Sequence, residues 1–364
     1  MSDLIFYSPT RFNSLLDRDD VRIWLNLFKI FPQGISFIDR TKTITLPIRT
    51  STPTQVSLPD PNSNFNLSFG ECAVNRAKEI HAKHLEFGVP IRLQWSGGID
   101  SSAALSAFIQ LLGVTEAKRC LEIVMTSEGI IENPFIWEEI IRKEGFKIIN
   151  TLKFTERWDG SSIMVNGEQG DQVHGTDLYR MLIVQHGEGA MMIPWTEELI
   201  VSFIKFKSKA TDLDAEKLAA VLINQVQHAP IDIITLGDFW WWINFTCKWA
   251  ATFYRIVTKS TTQVNAEFID NYFFPFYGSK DFQLWSMYKR EEKHKGNWAT
   301  YKWKAKDFVC DLLGHNAYQD KHRQGSLYLV MCQTTKSEAI DSDFKYYDRL
   351  TPEDWYLPDN SFRI

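Results

Sequence analysis

The segment Leu93-Gln94-Trp95-Ser96-Gly97-Gly98-Ile99-Asp100-Ser101-Ser102 decides how the rest of the chain is read. A strand is expected from Val89 to Trp95, and a helix from about Ser101 to Leu112. Gly97 and Gly98 fall in the turn between them, where a missing Cβ lets a ligand come close to the backbone. Ser96, Ser101 and Ser102 bring hydroxyls to the same place, and the helix start brings free N–H groups. The combination is a cradle for an oxyanion. The chain holds no G-x-x-x-x-G-K-[ST] match, so the cradle is not a Walker-type loop.

A Gly-Gly turn between a strand and a helix is common and says little alone. The full S-G-G-x-D-S-S pattern at such a junction is more specific, and it resembles the signature of the N-type ATP pyrophosphatases, the PP-loop superfamily. The resemblance implies that the loop grips the β- and γ-phosphates of ATP, which is cut between its α- and β-phosphates. GMP, NAD, asparagine and argininosuccinate synthetases and tRNA-modifying thiolases resemble one another at this loop.

A second motif narrows the choice. Asn166-Gly167-Glu168-Gln169-Gly170-Asp171-Gln172-Val173-His174-Gly175 follows an expected strand at Ser162 to Asn166. It resembles the G-E-G-A-D-E-x-x-G-G block of the asparagine synthetase and β-lactam synthetase group. Asp100 and Asp171, at two strand ends of one crevice, suit Mg²⁺ bridging triphosphate oxygens. The plainer reading makes Glu168 and Asp171 an acidic surface turn. Two departures stand out: Gln172 replaces the last acid of the block, and only about seventy residues separate the motifs.

The third region is Tyr301-Lys302-Trp303-Lys304-Ala305-Lys306, followed by Lys321-His322-Arg323-Gln324-Gly325. It resembles the family's K-x-x-L-R and R-x-K-x-G-F segments. Lys302 falls on the family's lysine and Lys306 on its arginine, while Lys321, Arg323 and Gly325 fit the second half. Cations here would face the α-phosphate as charge develops on it. A solvated basic face and a nucleic-acid contact are the alternatives. Asn271 to Phe276 resembles the family's R-x-P-F-L-D segment only distantly.

Composition bounds the rest. With 364 residues, 44% hydrophobic and 23% charged, the chain is an ordinary globular protein of one elaborated domain or two. A net charge of −5 argues against a general nucleic-acid coat. The five cysteines (Cys72, Cys120, Cys247, Cys310, Cys332) form no C-x-x-C pair, which fits a reducing cytoplasm and speaks against the thiolase branch. No signal peptide is expected from Met1-Ser2-Asp3-Leu4. Phe239 to Val257 is interrupted by Asn244, Lys248 and Arg255, so it reads as a buried aromatic helix and not a membrane span.

Along the chain, residues 1–68 read as a small N-terminal region with strand-like pieces at Gly34 to Ile38 and Thr43 to Ile48, then a linker. With Ser2 at the second position and fewer than seventy residues before the synthetase-like part, no glutaminase of the asparagine synthetase type is expected. Phe69 to Phe87 reads as a helix carrying His81 and His84 at i, i+3, either a metal pair or a solvated face. Further strands are expected at Cys120 to Thr126 and Phe146 to Thr151, with a helix between them that begins at Asn133-Pro134. Gly113 is expected to end the helix after the loop. Helices follow at Thr196 to Lys207, Asp214 to Val226 and Asp238 to Val257. This alternation predicts an α/β fold with a parallel sheet.

The resemblance implies an adenine-nucleotide α-hydrolase-like (HUP/PP-loop) core over about 69–185, a helical lobe over about 190–345, and a tail at 346–364. It implies an ATP- and Mg²⁺-dependent, AMP-forming carbon–nitrogen ligase that adenylates a small carboxylate and passes it to an amine or to ammonia from a separate source. Leu93, Val124 and Gly167 would lie along the adenine, with Ser96, Gly97, Gly98, Asp100, Ser101, Ser102 and Lys306 on the phosphates. Asp100 and Asp171 would hold the metal, Glu168 would orient or deprotonate the nucleophile, and Lys302 would serve the reacting phosphate. No membrane or stable nucleic-acid partner is expected. Adenylation of a nucleobase or tRNA oxygen, and a nucleotide-binding regulator without turnover, remain the other readings.

Overall fold

The structure, a computed structural model, describes residues 4–6, 15–31, 37–45, 56–150, 160–254, 266–316, 318–319 and 344–346. A short parallel pair joins β1 (Leu4–Phe6) to β7 (Phe344–Tyr346). The main sheet contains β2 (Ile91–Gln94), β3 (Leu121–Met125), β4 (Lys147–Asn150), β5 (Ile163–Asn166) and β6 (Phe273–Pro275). Its order is β4-β3-β2-β5-β6, and every neighbouring pair is parallel. The predicted α/β class with a parallel sheet is met. Strand β6 was not foreseen.

The polar alternation of the central strand β2 has a direct physical cause. Arg92 stands in register with Glu122 of β3, which stands in register with Lys147 of β4. Arg92 Nε donates to Glu122 at 2.9 Å, and Lys147 Nζ pairs with the other carboxylate oxygen. Burial pushes the Glu122 carboxyl up, but the hydrogen bonds from Lys147 and Arg92 outweigh it and hold the group below its usual range. A charged ladder thus crosses the sheet where apolar residues are the norm.

Helices α1 (Asp19–Ile30), α2 (Phe69–Phe87), α3 (Ile99–Cys120), α4 (Ser127–Glu132) and α5 (Pro134–Ile136) come first, the last running into a π-helical stretch at Trp137–Arg142. The span of α2 is as predicted. Ser68 and Glu71 close a capping box at its start, and Gly88 caps its end at φ 66°. Asn133 caps α5 with Pro134 at its first turn, also as predicted. Gly113 breaks the helical path at φ 71°, ψ 158°, as expected of a stop, and a second helical stretch follows at once and runs to Cys120.

Next come α6 (Gly170–His174) and α7 (Tyr179–His186), then α8 (Glu197–Ser208), α9 (Asp212–Gln227), α10 (Leu236–Ile243) and α11 (Trp249–Tyr254). The caps of α8, α9 and α10 are Thr196, Thr211 and Thr235. For α9 and α10 this places the start ahead of the expected Asp214 and Asp238. The predicted helix over Asp238 to Val257 is divided by a π-helical turn at Asn244–Lys248, and its last residues lie outside the described ones. Helix α12 (Ala266–Tyr272) leads into β6, and α13 (Lys280–Tyr288), α14 (Arg290–Lys293) and α15 (Trp303–Leu313) follow.

The N-terminal segment differs from its expected strand-like character. Residues 15–31 contain α1, which lies against α8 and α9, and residues 37–45 carry no strand. The remainder of the expected pieces at 34–38 and 43–48 lies outside the described residues. Ile38 N and Arg40 N donate to the carbonyls of Cys247 and Thr246 in the π-helical turn. Trp240, Trp241, Trp242 and Trp249 are all buried, as expected of a core helix. Among the described residues no helix is long and apolar enough to cross a membrane.

Candidate active site

Strand β2 sits at the centre of the sheet. The chain leaves it through α3 toward β3 and β4, whereas β5 and β6 lie on its other side. The loops after β2 and β5 therefore diverge, and this is where doubly wound sheets open a crevice. The two quoted motifs are those two loops.

Glycines let them touch. A Cβ on Gly167 would lie 3.0 Å from Ser101 N and 3.1 Å from Asp100 Cβ. A Cβ on Gly170 would lie 2.3 Å from Asp100 Cγ. Gly97 has φ 76°, and a Cβ there would strike Gly129 O at 2.3 Å and Glu132 Cβ at 2.8 Å. Helix α4 thus backs the loop. Gly170→Ala is expected to force the Asp100 carboxylate aside and to lower stability by about 1–3 kcal/mol, as overpacking does. A denaturant melt matching that of wild type would show that the two groups are not in contact.

Around the loop, Ser101 Oγ accepts from Ser96 N and donates to Gly98 O, both at 3.1 Å. Ser102 is fully buried and accepts from Trp95 Nε1 at 3.1 Å and Asn133 Nδ2 at 3.4 Å. These hydroxyls brace the loop from inside, whereas Ser96 and Gly98 stay half-buried. Leu93 and Val124 are buried, and Trp95 N donates to Val124 O at 2.9 Å, so that edge of the crevice is backbone. Glu168 is buried, and its backbone N–H donates to Asn166 Oδ1 at 3.0 Å.

The centre of the site is Lys302. Its Nζ lies 2.6 Å from Asp100 Oδ2 and 2.7 Å from Asp171 Oδ1. Tyr301 OH donates to the same Asp171 oxygen at 3.0 Å, and Tyr277 OH donates to Asp100 O at 3.4 Å. Burial pushes the Lys302 ammonium down, but Asp100 and Asp171 together pull it above the ordinary lysine value. Its stabilising contribution is therefore complete below the unfolded lysine pKa and fades only as pH rises through the higher folded one. At neutral pH the cation is fixed in place.

Burial holds down the proton affinity of two basic neighbours. His174 is fully buried among Phe69, Tyr277 and Trp285, and burial, then the Lys302 charge, pushes its imidazole well down. Lys293, whose carbonyl accepts from Lys302 N, is buried with Nζ 3.1 Å from the Trp241 ring centre, and burial lowers its amine to about 7.

Backbone strain marks the same place. Of the four non-glycine residues at positive φ among those described, Gln169 (65°) and Lys302 (61°) flank this site. Such conformations persist where the surroundings enforce them, and they gather at functional sites. The family pattern carries glycine at the position of Gln169.

Gln172 points away from the crevice. Its amide donates to Asn244 Oδ1 at 3.2 Å, and Asn244 Nδ2 donates to Gly175 O at 2.8 Å. An acid at 172 would face Asn244 and not the paired aspartates. Lys306 reaches Ala299 O at 3.0 Å and Gln319 O at 3.4 Å, away from the pair, and Lys304 lies over the Trp303 ring at 4.3 Å. Lys321, Arg323 and Gly325 lie outside the described residues. His81 and His84 stack at 5.5 Å, with His84 Nδ1 on Val89 O at 2.7 Å.

Sequence reasoning assigned no role to Tyr301, Tyr277 or Asn244. Tyr301 sits beside Lys302 in the chain and was the most accessible of the three. The other two come from segments whose only visible signal is aromatic packing.

Among the described residues no three His, Cys, Asp or Glu side chains gather to hold a metal. The two aspartates alone suit a hard cation that brings its remaining oxygen ligands with it. The Lys302 ammonium already stands between them, as a hydrogen-bonded positive charge in the place such a cation would take. A separate groove of about 720 Å³ is lined by Gln185, Glu197, Glu198, Ser202, Lys205 and Glu216 of α7, α8 and α9, with no part in this pair. No protein-family model, no curated protein and no solved structure matches the chain.

Proposed function

We propose that the chain is an ATP-dependent, AMP-forming ligase on a PP-loop type core, which adenylates a small carboxylate and joins it to an amine or ammonia. One observation carries this reading above the others. Two loops about seventy residues apart in sequence converge at the sheet's switch point, so that Asp100 and Asp171 share one ammonium at 2.6 and 2.7 Å. Each loop resembles a signature of the same superfamily.

On this reading Ser96, Gly98 and the first turn of α3 receive the phosphates, and backbone at Leu93, Val124 and Gly167 lines the adenine. Asp100 and Asp171 would hold Mg²⁺, which supplies charge neutralisation for the departing pyrophosphate. Lys302 places a positive charge where the α-phosphate becomes more anionic. Glu168, on the turn after β5, orients the nucleophile or takes its proton. Asp171 keeps its orientation through Tyr301. Gln172, turned toward Asn244, takes no part in this reading.

The test is a screen of carboxylates paired with amines or ammonium, reading AMP and pyrophosphate and then product mass. AMP and pyrophosphate in equal amounts are expected. Stoichiometric ADP and phosphate would overturn the reading, because a cradle for the leaving pyrophosphate does not serve γ-phosphoryl transfer.

A further inference from the structure

The lysine placed at the reacting phosphate in the reading above is found elsewhere in the protein alone. Its ammonium is buried between the two carboxylates, while Asp100 and Asp171 remain 24% and 27% exposed. The carboxylates thus face the crevice, and the cation closes them from behind. Tyr301, stacked on Trp298 at 5.1 Å, holds Asp171 toward that cation. Lys302 precedes α15 with its backbone held on Lys293 O and Lys306 N, so the ammonium can turn only about the side chain's own bonds, which leaves the helix packed.

An ammonium and a divalent cation on the same two carboxylates repel each other strongly at these separations. The two aspartates supply two negative charges against the three positive ones that an ammonium and a divalent cation bring together, too few to hold both. A triphosphate changes the balance: its oxygens complete the coordination of a divalent cation and give the ammonium a new anionic partner.

We propose that Lys302 and a divalent cation compete for the Asp100–Asp171 pair. The lysine occupies the pair until metal arrives on a triphosphate, and only then turns to the nucleotide. This rests on the ATP reading for the identity of the triphosphate, but the competition concerns the chain's own side chains. It follows that the nucleotide-free protein binds free metal poorly, and that removing the lysine improves metal binding while harming catalysis.

Mn²⁺ alone, titrated without nucleotide and read by electron paramagnetic resonance, tests this. Lys302→Met and Lys302→Gln are each expected to bind Mn²⁺ about tenfold tighter than wild type or better. The gain should vanish when Asp171→Asn is added. Should the methionine variant fail to fold, the glutamine variant, which keeps a polar end of similar reach, carries the same comparison. Equal or weaker Mn²⁺ binding by the Lys302 variants, or a gain that survives Asp171→Asn, overturns the proposal. None of these readings requires turnover. A gain in Mn²⁺ affinity without AMP formation by any substrate removes the ATP reading and leaves the competition standing, and the opposite pair of results does the reverse.

Discussion

Lys302→Met loses about 10²–10³ in kcat, while its KM for the nucleotide stays level or falls. On the proposed ligase reading, the lysine charge acts as negative charge grows on the reacting phosphate, so its removal should raise the barrier more than it weakens binding. The same ammonium is held by Asp100 and Asp171, and under the proposed competition its release would oppose nucleotide entry. A variant without that step has a lower ground-state cost, which is why KM does not rise. Methionine keeps an unbranched stem and tolerates φ 61° no worse than lysine, so the start of α15 is preserved. Lys304→Met is the matched control. Its ammonium lies over Trp303 at 4.3 Å and not on the aspartates, so kcat should stay near wild type. Steady-state kinetics of the two variants decide the matter, and a reversal of their effects would place the working lysine at 304.

Asp171→Asn is expected to destabilise the fold and, on the ligase reading, to remove turnover with it. The carboxylate accepts from Lys302 and from Tyr301 on one oxygen. Asparagine retains the volume but loses the charge, which weakens a charged hydrogen bond worth about 1.5–3 kcal/mol. The buried ammonium then rests on Asp100 alone. Asp100→Asn should match it in activity, with the melting midpoint lowered in both. Mn²⁺ should restore little, because the missing element is an anionic ligand. Turnover of either variant at the wild-type rate would remove that aspartate from the metal site.

The parts of the fold legible in the sequence were those written in local chemistry. Ser68 with Glu71 and Gly88 delimit α2, and Asn133-Pro134 opens α5, because caps act through neighbours in the chain. Helix α1 was legible and was missed: Val21, Trp24, Leu25 and Phe28 recur at helical spacing on a buried face, with Asp19, Asp20, Arg22 and Lys29 outside it. Strand β6 is three residues ending in Pro275, too short for any periodicity. The charged ladder Arg92–Glu122–Lys147 made β2 look unlike a central strand, since its explanation lies on two other strands. At the site, Asp100, Asp171 and Lys302 were each singled out from separate stretches of sequence, and the structure brings the three side chains together. The placement of Lys306 and Gln172 was not legible, because it depends on carbonyls and an amide from distant helices.

The π-helical turn at Asn244–Lys248 also determines where this chain can be shortened. Its carbonyls at Thr246 and Cys247 are occupied by the backbone of Ile38 and Arg40, and Arg40 adds a guanidinium bond to Phe245 O at 2.9 Å. A fragment beginning at residue 69 would keep both signature loops and Lys302. It would also leave three buried carbonyls to find water and bare the faces of α8 and α9 that α1 covers. The same turn carries Asn244, whose amide steadies the helix of Asp171, so loosening it from outside reaches the aspartate pair. Trimming to the recognisable core would therefore yield an aggregating or inactive fragment for reasons unrelated to its chemistry, and dissection of this protein should begin upstream of α1.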